Sequence, residues 1–299
     1  MKVLVGADVG GTKLAVRVES PDGEVRADVE IAAEGWESTP VDEAARWLLD
    51  HLSRVVPEGD EIAAVGVGAQ GCDTRDHCVH LGAALEARGV PAAVVNDAAL
   101  LVPAAGLDAG IGIIAGTGSI GVGTGADGDV LFAGGWGWVL GDEGSAPAIV
   151  REATRAALTA YDCGQGDDGL LSALLAHYGD PDPQTLARTV NDEPTPGNWG
   201  PAAPAVFRAA DAGSALAVRV VDQAAAQLQT LVSRLVARGA TGGTVVAAGS
   251  VLVHQPRLAA ALRAQLARAH PTLTLHLLQV PPVTGAVALA RARLHHPTR

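Results

Sequence analysis

The sequence predicts an α/β fold made of two lobes that face each other across a cleft. The 299-residue chain is 48% hydrophobic but only 3% aromatic, so we expect a core of aliphatic strands and small-residue helices. A unit of strand, Gly-Thr turn, strand, Asp-Gly turn and strand also occurs twice along the chain. Because each copy places a glycine-rich turn after a buried strand, the two turns can approach one anion from opposite lobes.

Charge and cysteine content narrow the classes of function. The formal net charge is −12 and basic residues form no run, so tight binding to nucleic acid is not expected. A nucleotide is still compatible with an acidic protein, because backbone amides and a divalent cation supply local positive charge. The three cysteines lack CxxC spacing, which favours a reducing cytoplasm over a disulfide framework or a zinc site. No signal peptide and no membrane span are expected.

The first copy of the repeated unit begins near the amino terminus. Apolar alternation bounded by GGTK and SPDG predicts three strands, over residues 3–9, 14–19 and 24–31. Helical spacing of apolar residues follows over 41–56, and two further strands are expected over 62–68 and 92–95.

The second copy predicts strands over 111–115, 120–124 and 130–132. The rest of the chain is expected to consist of helices over 147–161, 169–178, 203–237, 255–269 and 283–293 and strands over 244–248 and 273–278. The last helix is expected to return to the first lobe, so residues 1–109 with 284–299 form the smaller lobe and 110–283 the larger. Segment 179–201 reads as a short helix with loops, and we assign no role to 162–199.

Residues 8–13, DVGGTK, sit at the end of the first strand and lead into another strand. This is not a P-loop, whose glycines must open a helix. Gly10 and Gly11 let the backbone turn its amides toward an anion, and the Thr12 hydroxyl adds a donor. Asp8 is then placed to hold a hydrated Mg²⁺ ion beside the phosphates. The alternative is a purely structural hairpin.

The second copy of this turn, residues 115–121, is AGTGSIG. Two Gly-Thr hairpins at equivalent places in a duplicated unit favour a phosphate cradle over two unrelated turns. Asn96 and Asp97 end a strand of the first lobe between these turns. Asp97 is the candidate general base for an incoming hydroxyl. The alternative for Asp97 is a helix N-cap, worth about 1 kcal/mol.

Two later segments are candidates for substrate and nucleotide contacts. Residues 134–145, GGWGWVLGDEGS, combine glycines, tryptophans and carboxylates, and Asp142 is placed to accept sugar hydroxyls unless it only starts a helix. Gly249 and Ser250 link a strand to a helix, where an adenine can lie against the backbone. An ordinary strand-to-helix turn is the alternative there.

Read in order, six segments resemble the phosphate-1, connect-1, phosphate-2, sugar, adenosine and connect-2 motifs of actin-like sugar kinases. They are DVGGTK, VNDAALL, IAGTGSIG, GGWGWVLGDEGSA, VAAGSVL and PPVTGAVALA. The GGWGWVLGDEGS string is similar to that of N-acetylglucosamine kinases and BadF/BadG/BcrA/BcrD-type ATPases, and the whole chain looks most like actinobacterial glucosamine kinases. The resemblance implies two ribonuclease-H-like lobes of the actin-like ATPase type, a closing cleft, ATP and Mg²⁺, transfer to the sugar 6-hydroxyl, and a homodimer.

The resemblance also implies residue roles. It makes Asp97 the base and assigns ATP contacts to Gly10, Gly11, Thr12, Lys13, Gly116, Thr117, Gly118, Ser119, Gly249 and Ser250. The implied sugar contacts are Glu34, Trp36, Gly71, Asp73, Asn96, Asp97, Gly135, Trp136, Gly137 and Asp142. Gln70 and Cys72 depart from the Ser-Gly-Gly-Asp turn of the family. Glu34 stands where N-acetylglucosamine kinases tend to carry Asn, and an acidic residue there suits the ammonium of an unacetylated amino sugar.

Several other functions remain open at this point. The chain can instead phosphorylate N-acetylglucosamine or glucose. A related class, the ATPases that activate dehydratases, needs cysteines for an iron–sulfur cluster, and Cys72, Cys78 and Cys163 do not form a convincing set. Kinases of the ROK type usually carry a cysteine-rich zinc motif after an ExGH sequence, and neither pattern occurs here. A non-catalytic sugar-sensing relative is the remaining alternative.

Overall fold

The computed structural model describes residues 1–295, in two five-stranded sheets with the same topology. The strand orders are β3-β2-β1-β4-β5 and β8-β7-β6-β9-β10. In each sheet the first three strands pair antiparallel, and the last two run parallel to the first. The predicted duplication and the two-lobed α/β fold are confirmed. The four residues 296–299, the end of the predicted segment 284–299, lie outside the described part of the chain.

The strand bounds differ by no more than two residues from those predicted. The first sheet contains β1 Lys2–Val9, β2 Lys13–Glu19, β3 Val25–Ala32, β4 Glu61–Ala69 and β5 Ala92–Val95. The second contains β6 Ile111–Ala115, β7 Ser119–Thr124, β8 Val130–Gly134, β9 Thr244–Ala248 and β10 Thr274–Leu277. On β2 the side chains of Leu14, Val16 and Val18 are buried and alternate with more exposed ones, as a strand with one face on the core requires.

Helices cover the sheets. The described helices are α1 Val41–Val55, α2 Arg75–Glu86, α3 Leu101–Ala104, α4 Ala146–Asp162, α5 Leu170–Tyr178, α6 Pro183–Asp192, α7 Pro196–Trp199, α8 Ala203–Asp211, α9 Ala215–Ala237, α10 Ser250–His254, α11 Pro256–Ala269 and α12 Val283–His295. No helix within residues 1–295 is long and apolar enough to cross a membrane.

The single helix predicted over 203–237 was wrong, because the structure has two helices there. Gly213 has a φ of +100°, a left-handed conformation that ends α8. Ser214 then caps α9, with its side-chain oxygen accepting a hydrogen bond from the backbone N–H of Ala217 at 3.0 Å. The apolar spacing continues across this break, so periodicity alone does not reveal it.

The last helix, α12, packs directly on the first sheet. A Cβ atom added to Gly66 on β4 would lie 1.9 Å from the carbonyl oxygen of Ala286, and one added to Gly6 on β1 would lie 2.7 Å from Val287. The backbone of α12 therefore touches the sheet where these strands have no side chains. Gly285 makes a similarly close approach to Leu100, whose carbonyl oxygen would be 2.2 Å from an added Cβ.

Candidate active site

The candidate site lies at the carboxyl ends of the parallel strands of the first sheet. In the register, Asp8 of β1 is level with Gly68 of β4, which is level with Val95 of β5. Gln70 begins the segment after β4, and Asn96 begins the segment after β5. Both segments therefore start at the carboxyl end of the sheet, where Asp8 also lies. Ligands of open α/β sheets bind in crevices outside the carboxyl ends of their strands.

The first Gly-Thr turn forms a tight hairpin between β1 and β2. The backbone N–H of Gly10 donates to the carbonyl oxygen of Lys13 at 2.9 Å. A Cβ atom on Gly11 would lie 2.8 Å from Oε1 of Gln70, so the loop after β4 touches this turn. Lys13 itself forms an exposed ion pair with Glu30 on β3, at 2.6 Å, and would have to leave this partner to reach a phosphate.

The second turn is also a tight hairpin, between β6 and β7, and it is one residue shorter than the first. The N–H of Gly116 donates to the carbonyl oxygen of Gly118 at 2.9 Å. A Cβ atom on Gly118 would lie 3.1 Å from a carboxylate oxygen of Asp142, and one on Gly116 would lie 3.5 Å from Oγ of Ser250. The structure thus brings the second turn, Asp142 and Ser250 together.

Asp97 lies beside a polar network centred on the buried Asn96 side chain. The side-chain oxygen of Asn96 accepts from the N–H of Ala98 at 3.0 Å, so Asn96 is the N-cap of the short 3₁₀ turn Asp97–Leu100. The Asn96 amide donates to Oδ1 of Asp73 at 3.0 Å. Burial raises the pKa of Asp97 and the charge of Asp73 adds to this, while the N–H of Ala98 opposes it. The Asp97 carboxylate is therefore not needed as a cap.

Asp8 is a second perturbed carboxyl group. Burial, followed by the negative charge of Asp97, raises the pKa of Asp8 from 3.8 to about 7. A carboxylate whose ionisation is disfavoured by burial and by a second carboxylate suits a bound cation, because the positive charge would reverse both effects. Within residues 1–295 no three His, Cys, Asp or Glu side chains are grouped to hold a metal ion by themselves. A magnesium ion here would therefore need ligands from water and phosphate as well as protein.

The predicted sugar-side residues Glu34, Trp36, Gly71 and Asp73 lie on two loops that contact each other. Nε1 of Trp36 donates to the carbonyl oxygen of Gln70 at 3.2 Å, and Ser38 Oγ donates to that of Gly71 at 3.4 Å. Nε1 of Trp47 in α1 donates to the carbonyl oxygen of Glu34 at 3.1 Å. These bonds fix the backbone of the Glu34 loop against the Gly71 loop.

The glycine-rich segment after β8 is a loop with left-handed backbone at Gly134, Gly135 and Gly137. It presents Trp136 to solvent, with 74% of its surface exposed. Asp142 ends the loop with a φ of +57°, unusual for a residue with a side chain, and its side chain is buried. Burial raises the pKa of Asp142, the Ser119 N–H opposes this shift, and the charge of Glu143 adds to it. Helix α4 is capped by Ser145, so Asp142 does not serve as its cap.

A cavity of about 430 Å³ adjoins Gly249 and Ser250. Its walls are mainly apolar and also include residues that sequence reasoning missed, namely Leu101, Ile114, Val253, His254, Leu278, Val280 and Pro282. Gly249 has a φ of +95°, and an added Cβ would lie 2.3 Å from the carbonyl oxygen of Ala115. This glycine lets β9 turn sharply against the second Gly-Thr turn. The cavity is of a size and character that suits a nucleobase.

Arg75 is a further residue that sequence reasoning missed. It lies at the start of α2, and its Nη1 donates to the carbonyl oxygen of Asp127 in the β7–β8 turn at 3.1 Å. This bond joins the first lobe to the second. Arg75 stands outside every recognisable motif, so only the relative placement of the lobes reveals the contact.

The chain is similar in sequence and in fold to known proteins. The sequence model of the BadF/BadG/BcrA/BcrD ATPase family matches residues 5–290. The N-acetylmuramic acid/N-acetylglucosamine kinase of Clostridium acetobutylicum is 31% identical over 170 residues, which are 54% of this chain. That alignment spans 55% of the kinase, about half of its length.

Two solved structures share the fold over nearly their whole length. A Chromobacterium violaceum protein assigned as an N-acetylglucosamine kinase is 25% identical with a TM-score of 0.65, covering 97% of this chain and 99% of its own. A ROK family glucokinase from Streptomyces griseus, solved with glucose and AMPPNP, is 19% identical with a TM-score of 0.55, covering 97% of this chain and 98% of its own. The second likeness concerns the fold alone.

Proposed function

Because the chain belongs to the BadF/BadG/BcrA/BcrD ATPase family, we propose that it transfers the γ-phosphoryl group of Mg-ATP to the 6-hydroxyl of glucosamine. The observation that carries the proposal is the pair of Gly-Thr hairpins, at Gly10–Thr12 and Gly116–Gly118, at equivalent places in two sheets of the same topology. The same proposal includes a cytoplasmic homodimer, which a light-scattering mass of two chains would support.

In this proposal the two turns hold the phosphates from opposite sides, and the apolar cavity at Gly249 and Ser250 receives the adenosine. Asp97 accepts the proton of the sugar hydroxyl as its oxygen bonds to phosphorus. Asp8 would hold magnesium through water, and magnesium when bound neutralises phosphate charge. Asp142 stands against the second turn and reaches either phosphate-bound water or the sugar hydroxyls.

The choice of acceptor rests on the sugar-side loops. The relatives named as N-acetylglucosamine kinases support a hexosamine acceptor. Glu34, on the loop tied to Gly71, supplies a carboxylate for the ammonium of glucosamine, where an acetamido group would offer no charge. N-acetylglucosamine is the second candidate, because both of these relatives carry its name.

A coupled ADP-release assay tests the proposal. Purified protein is given Mg-ATP with glucosamine, N-acetylglucosamine, glucose or mannosamine at matched concentrations. The proposal expects the highest kcat/KM with glucosamine, and mass spectrometry of the product should show one added phosphoryl group. If kcat/KM is higher with N-acetylglucosamine, that sugar and not glucosamine is the acceptor. If none of the four sugars is phosphorylated, the hexose kinase assignment is rejected.

Glu34→Gln should raise the KM for glucosamine about tenfold and leave the KM for glucose unchanged, because glucose has no ammonium group to lose its partner. Steady-state assays with both sugars measure this. Glu58→Gln is the matched control, because Glu58 lies in the turn before β4. That turn is at the amino end of the parallel strands, and the candidate site is at their carboxyl end. An unchanged glucosamine KM in Glu34→Gln would remove Glu34 from substrate recognition.

The raised pKa of Asp8 predicts a pH-dependent stability in the protein without ligands. The folded state binds the Asp8 proton more tightly than the unfolded state does, so the free energy of unfolding falls as pH rises from about 4 to about 7. Asp8→Asn removes this penalty, so its Tm should rise relative to the wild type across that interval. Magnesium should raise the wild-type Tm at pH 8 more than that of the variant. A difference in Tm between Asp8→Asn and the wild type that does not change with pH would contradict the raised pKa of Asp8.

A further inference from the structure

Two buried cysteines lie next to the candidate site, and the proposed reaction uses neither. Cys72 belongs to the loop after β4, and Cys78 lies in the first turn of α2, with 0% and 7% of their surfaces exposed. Sγ of Cys78 donates to the carbonyl oxygen of Cys72 at 3.5 Å. The third cysteine, Cys163, is exposed at the end of α4, in the part of the chain that belongs to the second sheet's lobe.

Besides the bond to the Cys72 carbonyl, the two thiols interact with each other, and this interaction makes them differ in reactivity. Their hydrogen bond raises the pKa of Cys72, and burial adds to this effect. The same bond lowers the pKa of Cys78, although burial opposes the shift. Thiolates are the nucleophilic form of cysteine, so Cys78 is the thiol that reacts first with an electrophile.

We propose that Cys72 and Cys78 form a reversible disulfide on exposure to a small uncharged peroxide, and that this bond lowers the activity of the candidate site. The Cys78 thiolate attacks a peroxide oxygen, the O–O bond breaks, and hydroxide leaves to become water, which yields a sulfenic acid. The sulfur of Cys72 then attacks that of Cys78, and its proton leaves with the displaced hydroxide as a second water. Two thiols are oxidised, and one hydrogen peroxide is reduced to two waters.

The loop that carries Cys72 links this bond to the candidate base. Asp73 follows Cys72 directly and accepts the hydrogen bond from the Asn96 amide, and Asn96 precedes Asp97. A disulfide holds its sulfur atoms about 2 Å apart, closer than any non-bonded contact, so we expect its closure to draw the loop and the start of α2 together. The movement displaces Asp73 and with it the support of Asn96.

The accessibility of this pair depends on the same loop. The bond from Trp36 to Gln70 and the one from Ser38 to Gly71 hold the loop that carries Cys72 in place, and both thiols are buried. A sugar bound against this loop would hold it more firmly still. Glucosamine is therefore expected to slow the oxidation, a part of the inference that rests on the proposed function.

The experiment uses a Cys163→Ser background, which leaves only the two buried thiols. The protein is treated with hydrogen peroxide, alkylated and mapped without reduction, while kinase activity is followed before and after dithiothreitol. We expect a Cys72–Cys78 linked peptide, loss of both free thiols, and a loss of activity of about tenfold or more that dithiothreitol restores.

Cys78→Ser in the same background is the matched variant. Cys78 is not among the residues assigned to ATP or sugar, so basal activity should be kept and should survive peroxide. Cys78→Ala replaces it if the serine variant folds poorly. Each of three results would overturn the inference. They are a peptide map without the Cys72–Cys78 linked peptide, a cross-linked protein that keeps full activity, and inactivation of Cys78→Ser by peroxide to the same extent as the parent protein. Peptide mapping detects the disulfide whether or not the protein phosphorylates glucosamine. A failure of the proposed function can therefore be told apart from a failure of this inference.

Discussion

Asp97→Asn is expected to lower kcat for sugar phosphorylation by ~10² or more while ATP binding is kept. An amide cannot accept the proton of the incoming hydroxyl, but it is the same size as the carboxylate. The start of the 3₁₀ turn should be unaffected, because Asn96 and not Asp97 supplies the cap. Steady-state kinetics and a nucleotide-binding titration on the same preparation separate the two effects.

Asp22→Asn is the matched control for this variant, since Asp22 is exposed in the turn between β2 and β3. It should behave as the wild type. Turnover of Asp97→Asn within a few-fold of the wild type would mean that another group acts as the base. A parallel loss of ATP affinity would instead place Asp97 among the nucleotide ligands.

Gly66→Ala is expected to lower the free energy of unfolding by about 3 kcal/mol or more. The added methyl group would lie 1.9 Å from the carbonyl oxygen of Ala286 and 2.8 Å from the backbone nitrogen of Ala290. These are backbone atoms of α12, so no side chain can rotate away, and the helix must shift away from the first sheet. Chemical denaturation measures the change.

Gly82→Ala is the control, because a Cβ atom there has its nearest neighbour, a methyl carbon of Val94, at 3.8 Å, an ordinary contact. Gly82 lies inside α2, where alanine is the better helix former, so this variant should be as stable as the wild type or more so. Equal stability of Gly66→Ala and the wild type would contradict the close packing of α12 on β1 and β4.

The duplicated sheets were predictable because the information is local. Alternating apolar residues specify each strand, and closely spaced glycines specify each hairpin. The bounds of the strands in both copies are therefore predicted to within two residues. The break at Gly213 was not predictable, since the apolar stripe on α8 and α9 continues through it. A glycine inside a helical pattern is compatible with one continuous helix and also with a break between two helices.

The site was predictable in part, for a related reason. Asp8 lies near the end of β1, and Asn96 and Asp97 come directly after β5, and the carboxyl ends of these parallel strands meet at one end of the sheet. The position of Asp142 against Gly118 depends on a left-handed residue in a loop, and the Arg75 bond to Asp127 depends on how the lobes meet. Contacts between segments far apart in sequence leave no local pattern.

A crystal structure with a non-hydrolysable ATP analogue, magnesium and glucosamine tests the central claim most directly. We predict that the triphosphate lies between the Gly10–Thr12 and Gly116–Gly118 turns, with the sugar 6-hydroxyl within hydrogen-bonding distance of Asp97 and the base in the cavity beside Ser250. A triphosphate bound away from either turn, or a sugar whose 6-hydroxyl faces away from Asp97, would contradict the account.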